Sequence, residues 1–492
     1  MGAPDQGQWA GGSAASLGEL ETRLAYELEC LSFPAASWVP DRYDLAGRRV
    51  GAVLVVGGGQ AGLATAFALR REGVHDVTVV DRSPEGREGP WVNFARMLTL
   101  RTPKYLTGPD YGIPSLTFRS WFECQHGPSG WETLQRIPTP MWMDYLVWFR
   151  KVTGIHVFNG IELAACSGTP DGLVEVRLKS SSGSEHATYR HVVLANGMDG
   201  GGCWHAPPDL TRPLPRNVWA HTSEHIDLEA LHGRRVAVLG AGAAAFDAAA
   251  AALDHGATVD LYFRRPGLMK IEHRAWLEQA GFLRGFGSLD DRQKWAVMHR
   301  LLSLGAPAPE SAIARVAAHP SFAMYAGTGW LNTAYRQGRI EITTNRGPRE
   351  ADFAIFGTGA RYDLALRPEL SSIAPLAARW CDRFEPDDSQ RAEEIGMFPY
   401  LGRGFELIER IDGTAPWINR IHLFNYAATP SIGVSGSSGT GLKTGLQRLV
   451  GAIVEKLYAD SFERHLEAMP WPSPSTPSDG QSDPGTQSSK SP

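Results

Sequence analysis

The sequence predicts an α/β chain built from two copies of one strand–turn–helix–strand unit, the second copy inserted into a discontinuous first. Three observations predict it. Val53-Leu54-Val55-Val56, a β-branched apolar run, leads straight into the glycine turn Gly57-Gly58-Gly59-Gln60-Ala61-Gly62. Arg235-Val236-Ala237-Val238-Leu239 leads in the same way into Gly240-Ala241-Gly242-Ala243-Ala244-Ala245. Strands expected at 339–344 and 352–356 then return the chain to the first unit. Short apolar runs ending in glycine read as buried parallel strands.

The N-terminal extension, 1–48, begins with a Gly/Ala/Ser-rich stretch expected to be disordered over 1–15. Leu17, Leu20, Leu24, Leu28 and Leu31 recur on one helical face, so an amphipathic helix follows, with packing onto the main body as its expected role.

In the first unit, Gly57, Gly59 and Gly62 hold the G-x-G-x-x-G spacing. One residue makes the tight turn, one lets a pyrophosphate approach the backbone, and one lets helix and strand pack closely. The helix expected over 62–72 points its N-terminus at the phosphates, with Gln60 and Ala61 in the turn. Val77 to Val80 form the next strand, and Asp81 stands 24 residues beyond Gly57, followed by Arg82. A carboxylate there accepts hydrogen bonds from a ribose hydroxyl pair, as in the adenosine half of FAD.

The second unit repeats this pattern, with Gly240 and Gly242 at the first two positions and Ala245 at the third. Residues 257–263 form its next strand, and Arg264 stands 24 residues beyond Gly240. Equal spacing places Arg264 where Asp81 stands in the first copy. A guanidinium there, with Arg265 beside it, suits a 2′-phosphate and so NADPH. The competing reading makes both arginines exposed loop charges. The fold expected is two Rossmann-like domains: FAD-binding over 49–205 and 346–465, NADPH-binding over 206–345 with a helical insertion at 266–335. A disordered tail is expected at 473–492.

Between the units, residues 86–150 are aromatic and poorly periodic, the pattern of a lid or pocket wall. Arg87, Arg96, Arg101, Lys104 and Arg119 lie in it as candidates for cofactor phosphate or a substrate carboxylate; solvated surface charge is the alternative. Gly357-Thr358-Gly359 is expected to close over a dinucleotide. The last strand is expected at 421–426. The loop 431–441 then leads to a helix over 442–458 whose dipole would face an electron-rich flavin edge.

The gross numbers exclude several classes. With 48 Lys+Arg against 53 Asp+Glu among 492 residues, nothing recommends nucleic acid or an anionic membrane as partner. No signal peptide or bilayer-length apolar run is apparent, so a cytoplasmic enzyme is expected, with a homo-oligomer left open. Five cysteines show neither C-x-x-C nor metal-ligand spacing. All five are expected to be buried structural thiols, and no metal is expected.

The two fingerprints, Gly89-Pro90-Trp91 and Asp352-Phe353-Ala354-Ile355-Phe356-Gly357-Thr358-Gly359 together resemble the class B flavoprotein monooxygenases over about residues 50–460. The stretches 88–110 and 398–410 are similar to a bacterial subgroup of FAD/NAD(P)-binding oxidoreductases. That subgroup includes proposed urate hydroxylases and, more distantly, amino-acid N-oxygenases. His221-Thr222 matches the end of the F-x-G-x-x-x-H linker signature, but Pro215 and Asn217 replace its Phe and Gly, which argues against a typical Baeyer–Villiger enzyme. The resemblance implies that NADPH reduces FAD and that dioxygen forms a C4a-(hydro)peroxyflavin. It adds Trp91 to the cofactor contacts and places Arg101 and Lys104 near the isoalloxazine and substrate. The expectation is N-oxygenation of a small polar amine or amino acid. The alternatives are hydroxylation of a urate-like purine, or an NADPH–flavin oxidoreductase with a non-oxygen acceptor.

Overall fold

The computed structural model describes residues 14–105, 108–269, 274–304, 307–434, 436 and 438–470. The expectations for residues 1–13 and for the tail at 473–492 lie outside this set.

The first sheet is centred on β1 (Arg49–Val56), whose Val53, Leu54 and Val55 are fully buried. Parallel neighbours flank it on both sides. β2 (Val77–Asp81) pairs Val80 with Val56, and a long strand over Gly183–Leu194 pairs Leu194 with Val56. Val157–Asn159 extends the sheet beyond β2, and Glu162–Gly168 and Val174–Ser180 form an antiparallel meander on the other side. Ile421–His422 adds a short parallel strand from the far end of the chain, shorter than the run expected over 421–426.

Helix α1 (Leu17–Cys30) buries Leu20, Leu24 and Leu28, and Ser16 caps it by accepting from the Glu19 amide. Its Glu27 carboxylate accepts from the Ser115 hydroxyl at 2.8 Å and its Glu21 from the Trp148 indole at 3.2 Å, so it serves as packing. Helix α2 (Gln60–Arg71) crosses from β1 to β2. The segment expected as an irregular wall contains two helices, α3 (Phe118–Thr133) and α4 (Thr139–Thr153). Gly127, at φ +70°, and Pro128 kink α3, and aromatic side chains bury most of α4; both features mask a 3.6-residue period.

The second sheet has five strands, all parallel: Phe322–Ala326, Thr258–Phe263, Arg235–Leu239, Phe353–Phe356 and Trp219–His221, in that spatial order. Helix α5 (Ala243–Asp254) packs on it, its run of alanines almost wholly buried. Two differences from the expected organisation arise here. Phe353–Phe356 pairs with Val236–Leu239 in the second sheet instead of returning to the first domain. The strand Gly347–Ala351 also stays with this half, pairing with Arg339–Thr344. A buried apolar run declares itself a central strand, but its sequence does not say which sheet receives it. The insertion is not helical throughout either. After α6 (Asp291–Leu304) and a helix at Glu310–Ala317 it supplies strands at 322–326 and 330–336. Helix α7 (Gly439–Ala459) closes the body against α2.

Among the described residues no helix is long and apolar enough to cross a membrane. All five cysteines are unpaired, but only Cys124 and Cys166 are buried. Cys30 and Cys381 are exposed and Cys203 is partly so, which corrects the expectation of five buried thiols.

Candidate functional site

The two glycine turns are built alike. The Gly57 amide donates to Val80 O at 2.8 Å, and the Gly240 amide to Tyr262 O at 2.9 Å. Gly57 has φ +113° and Gly240 φ +143°, a region closed to most side chains. A Cβ on Gly57 would stand 2.5 Å from Ala195 O, and one on Gly240 would stand 2.3 Å from Gly357 O. In each copy, then, the strand on the far side ends in small residues against the turn: Ala195-Asn196-Gly197 in the first, Gly357-Thr358-Gly359 in the second. Both runs are legible in the sequence as a buried strand ending in glycine, 191–197 and 352–359, and the structure shows them to be equivalent.

At the third positions, a Cβ on Gly62 would fall 1.7 Å from Gly57 O, while the second unit carries Ala245. A Cβ on Gly357 would lie 2.5 Å from that of Ala245. Gly59 caps α2 and Gly242 caps α5 with no side-chain hydrogen bond. At the first turn this leaves the amides of Gln60 and Ala61 available for a phosphate, whereas at the second Gly242 is bridged to Pro307 of the insertion and the Ala245 amide donates to Gly242 O at 3.1 Å. A Cβ on Gly59 would meet only Gly89, at 3.9 Å, so the space above that turn is open. Both turns fit a dinucleotide pyrophosphate.

Asp81 is buried at the end of β2. Its carboxylate accepts from the Gly58 amide and the Ser83 amide, each at 2.7 Å, which fixes its orientation and leaves lone pairs for ribose hydroxyls. Behind it lies a group that the sequence did not reveal. Glu88, 3% exposed, accepts from Arg150 at 3.1 Å and from the Asn159 side chain at 2.7 Å, and Asn159 donates to Ser83 O. Arg82 is exposed.

The second copy carries a shift that counting residues concealed. Val56 pairs with Val80, and Leu239 pairs with Tyr262. The structural counterpart of Asp81 is therefore Phe263, and Arg264 matches Arg82, because the connection from helix to strand is one residue shorter in the second unit. Arg264 is exposed and makes no hydrogen bond or ion pair among the described residues, whereas Arg265 donates to Ser303 O at 2.8 Å.

The cations of the wall are mostly engaged within the protein. Arg96 donates to Thr222 O and Glu224 O, both at 2.7 Å, and burial lowers its pKa to about 10. Arg101 forms a 2.5 Å ion pair with Asp247 of α5, whose carboxyl is pushed up by burial and drawn down by that guanidinium. Lys104 donates to Trp131 O and lies 4.7 Å from the centre of that indole; Arg119 pairs with Glu123 at 2.8 Å. Arg87 is exposed. Arg96 and Arg101 thus stitch the wall to the second unit. Trp91 meets Trp142 edge-on at 6.4 Å, and its indole N–H is buried without a partner among the described residues. The uncapped N-terminus of α7 opens beside the same loop, a Cβ on Gly439 standing 3.9 Å from Thr102.

Near the linker, Thr358 donates to His205 O, and the His205 amide to Gly359 O at 2.9 Å. His221 is buried beside Trp204, and desolvation lowers its pKa to about 4.

Residues 51–282 match the family model described as pyridine nucleotide-disulphide oxidoreductase. Over 455 residues the chain is 40% identical to the FAD-dependent urate hydroxylase of Xanthomonas campestris pv. campestris, covering 92% of this chain and 95% of that one. The chain belongs to the flavoprotein monooxygenase family. Solved structures of the same fold include the ornithine hydroxylase of Pseudomonas aeruginosa, at TM-score 0.63 and 16% identity over 83% of this chain and 100% of that one. The L-lysine 6-monooxygenase of Pseudomonas syringae is similar at TM-score 0.62 and 18% identity, over 83% and 99%. As a family member the chain is a flavin-dependent oxidoreductase, and the fold expected from its sequence is the one observed.

Proposed function

We propose that this enzyme is an FAD- and NADPH-dependent monooxygenase of the class B type acting on a urate-like purine. The observation that carries the substrate class is the 40% identity to a urate hydroxylase across nearly the whole of both chains. N-oxygenation of an amino acid, the reading favoured by the sequence alone, rested on free cations in the wall. Arg96, Arg101, Lys104 and Arg119 all have partners within the protein and Arg87 is exposed, which weakens that ground.

Bound FAD would accept hydride from NADPH and activate dioxygen. The chain's part is placement and dryness. Gly57, Gly59 and Gly62, with the α2 amides, take one pyrophosphate, and Asp81 accepts from the ribose. Gly240, Gly242 and Ala245, with the α5 amides, take the other. Arg264 supplies the charge for a 2′-phosphate, with Arg265 adjacent. Gly357 to Gly359 border the second turn. The α7 N-terminus would offer its positive end to an electron-rich flavin edge, and Trp91 and Trp142 would wall the site against water. Arg101 serves by holding α5, and Lys104 by holding the wall, in place of the substrate contact expected for them.

The test is product analysis with the FAD-loaded enzyme. Urate should be consumed with one NADPH and one dioxygen each. Hydroxylamine, oxime or nitro products from amino acids, with urate untouched, would restore the N-oxygenation reading. Rapid anaerobic NADPH oxidation with a non-oxygen acceptor, and no oxygenated product, would establish the oxidoreductase.

A further inference from the structure

Away from both glycine turns, a cleft of about 590 Å³ opens between α6 and the chain around Tyr400. Lys294 of α6 lines it. This residue is only 9% exposed, yet its ammonium makes no hydrogen bond or ion pair among the described residues. Lysines so deeply placed are almost always paired. The carboxylate one turn earlier on the same helix, Asp291, accepts from the Tyr400 hydroxyl, 3.0 Å from each of its oxygens, keeps its charge, and makes no ion pair with Lys294. Arg403, at the rim, is held by Ser288 at 3.0 Å, and Arg383 by Asp412 at 3.3 Å. The cleft therefore presents at its wall one buried ammonium with no hydrogen-bond or ion-pair partner among the described residues, on which Asp291 acts only at longer range, and Leu401, Ile408 and Ile432 supply an apolar lining.

We propose that this cleft is a binding site for a small organic monoanion, a carboxylate with an apolar or aromatic body, and that Lys294 carries its charge recognition. A single unpaired ammonium calls for a single negative charge. The carboxylates of Asp291 and Asp412 line the same space and repel a second one, which selects against phosphate dianions and nucleotides. The apolar lining rewards a hydrocarbon body that a mineral anion lacks. None of the lining residues belongs to either dinucleotide turn.

The probes are sodium benzoate, sodium hexanoate and inorganic phosphate, titrated calorimetrically into the FAD-loaded full chain at neutral pH. Benzoate or hexanoate should bind once per chain, and phosphate at least about tenfold more weakly. Lys294→Met should weaken the carboxylate about ten- to a hundredfold, as expected for loss of a charge-assisted bond, and Lys294→Arg should largely retain it. FAD content and NADPH affinity should not change in either variant. Without added anion, Lys294→Met should unfold at a higher temperature than the parent, because it removes an unpaired buried charge; the carboxylate should raise the midpoint of the parent only. The proposal is overturned if neither carboxylate binds below about 10 mM, if Lys294→Met binds as the parent does, or if phosphate binds as tightly as benzoate. Because the readout is binding and not turnover, it holds or fails independently of the substrate proposed above.

Discussion

Gly59 and Gly62 stand three residues apart in one turn, and a side chain would harm them for different reasons. A Cβ on Gly62 falls 1.7 Å from a backbone oxygen, so α2 would have to leave β1. Gly62→Ala should therefore cost about 3 kcal/mol or more, seen as a large drop in the unfolding midpoint even of the apoprotein. Gly59 has φ −75° and open space above it, so Gly59→Leu should fold and yet purify colourless, its side chain occupying the pyrophosphate approach. A yellow Gly59→Leu would place the flavin elsewhere. For Arg264, exposed and without a hydrogen bond or ion pair among the described residues, the expected role is charge alone. Arg264→Ala should weaken NADPH about ten- to a hundredfold, the equivalent of about 1.5–3 kcal/mol, and leave NADH use unchanged. Equal loss for both cofactors would make Arg264 a supporting residue. These glycines were legible because backbone geometry admits few substitutes. The Arg264 register was not, since one residue fewer between helix and strand leaves no mark in composition.

Among the elements, the strand–turn–helix units were readable because their apolar runs, glycines and lengths all agree. The helices over 118–133 and 139–153 were hidden by an internal glycine-proline kink and by aromatics on nearly every face. The allegiance of Phe353–Phe356 was hidden because a fully buried strand reads the same in any sheet. Arg101 shows most clearly what a linear reading misses: its partner Asp247 lies in the other unit, 146 residues away. Removing that guanidinium strands a carboxylate that burial already pushes up. Arg101→Met should lose about 1–3 kcal/mol near pH 8, a figure reduced from that of a fully buried pair because Arg101 keeps some exposure. With its folded pKa raised further, Asp247 disfavours folding when charged, so the deficit should shrink as pH falls toward 5 and the carboxyl takes a proton. Asp247→Asn in the same chain should recover part of the loss at pH 8. Unfolding midpoints at both pH values test this, and a deficit independent of pH would refute the account. Because α5 carries the second turn, anaerobic flavin reduction by NADPH should slow in Arg101→Met as well.

Across the whole molecule, two segments far apart in the chain meet within the first sheet in a buried histidine pair. His191 comes from the long central strand and His422 from the short strand contributed by the C-terminal region, with Nδ1 of the first 3.1 Å from Nε2 of the second. His422 Nδ1 lies 2.8 Å from Gly404 O and must donate to it, so its Nε2 accepts, and His191 donates from Nδ1. The remaining His191 nitrogen, buried and without a partner, then carries only a lone pair, and both rings are neutral. A proton added to His422 would set two N–H groups against each other. Desolvation accordingly lowers the pKa of His422 to about 4, and it lowers that of His191 well below the ordinary value. Both folded values lie below the unfolded value of about 6.5, so the pair's contribution is complete above that pH and is lost as pH falls toward 4. His422 alone should forfeit about 2 kcal/mol at pH 5. His422→Gln offers Gly404 a donor and His191 an acceptor without titrating. It should be somewhat less stable than the parent at pH 7 and lose less on moving to pH 5. Denaturant midpoints of both proteins, saturated with FAD at each pH, decide the matter. Parallel losses in the two proteins would mean that the pair does not titrate in this range and that carboxylates elsewhere set the acid limit.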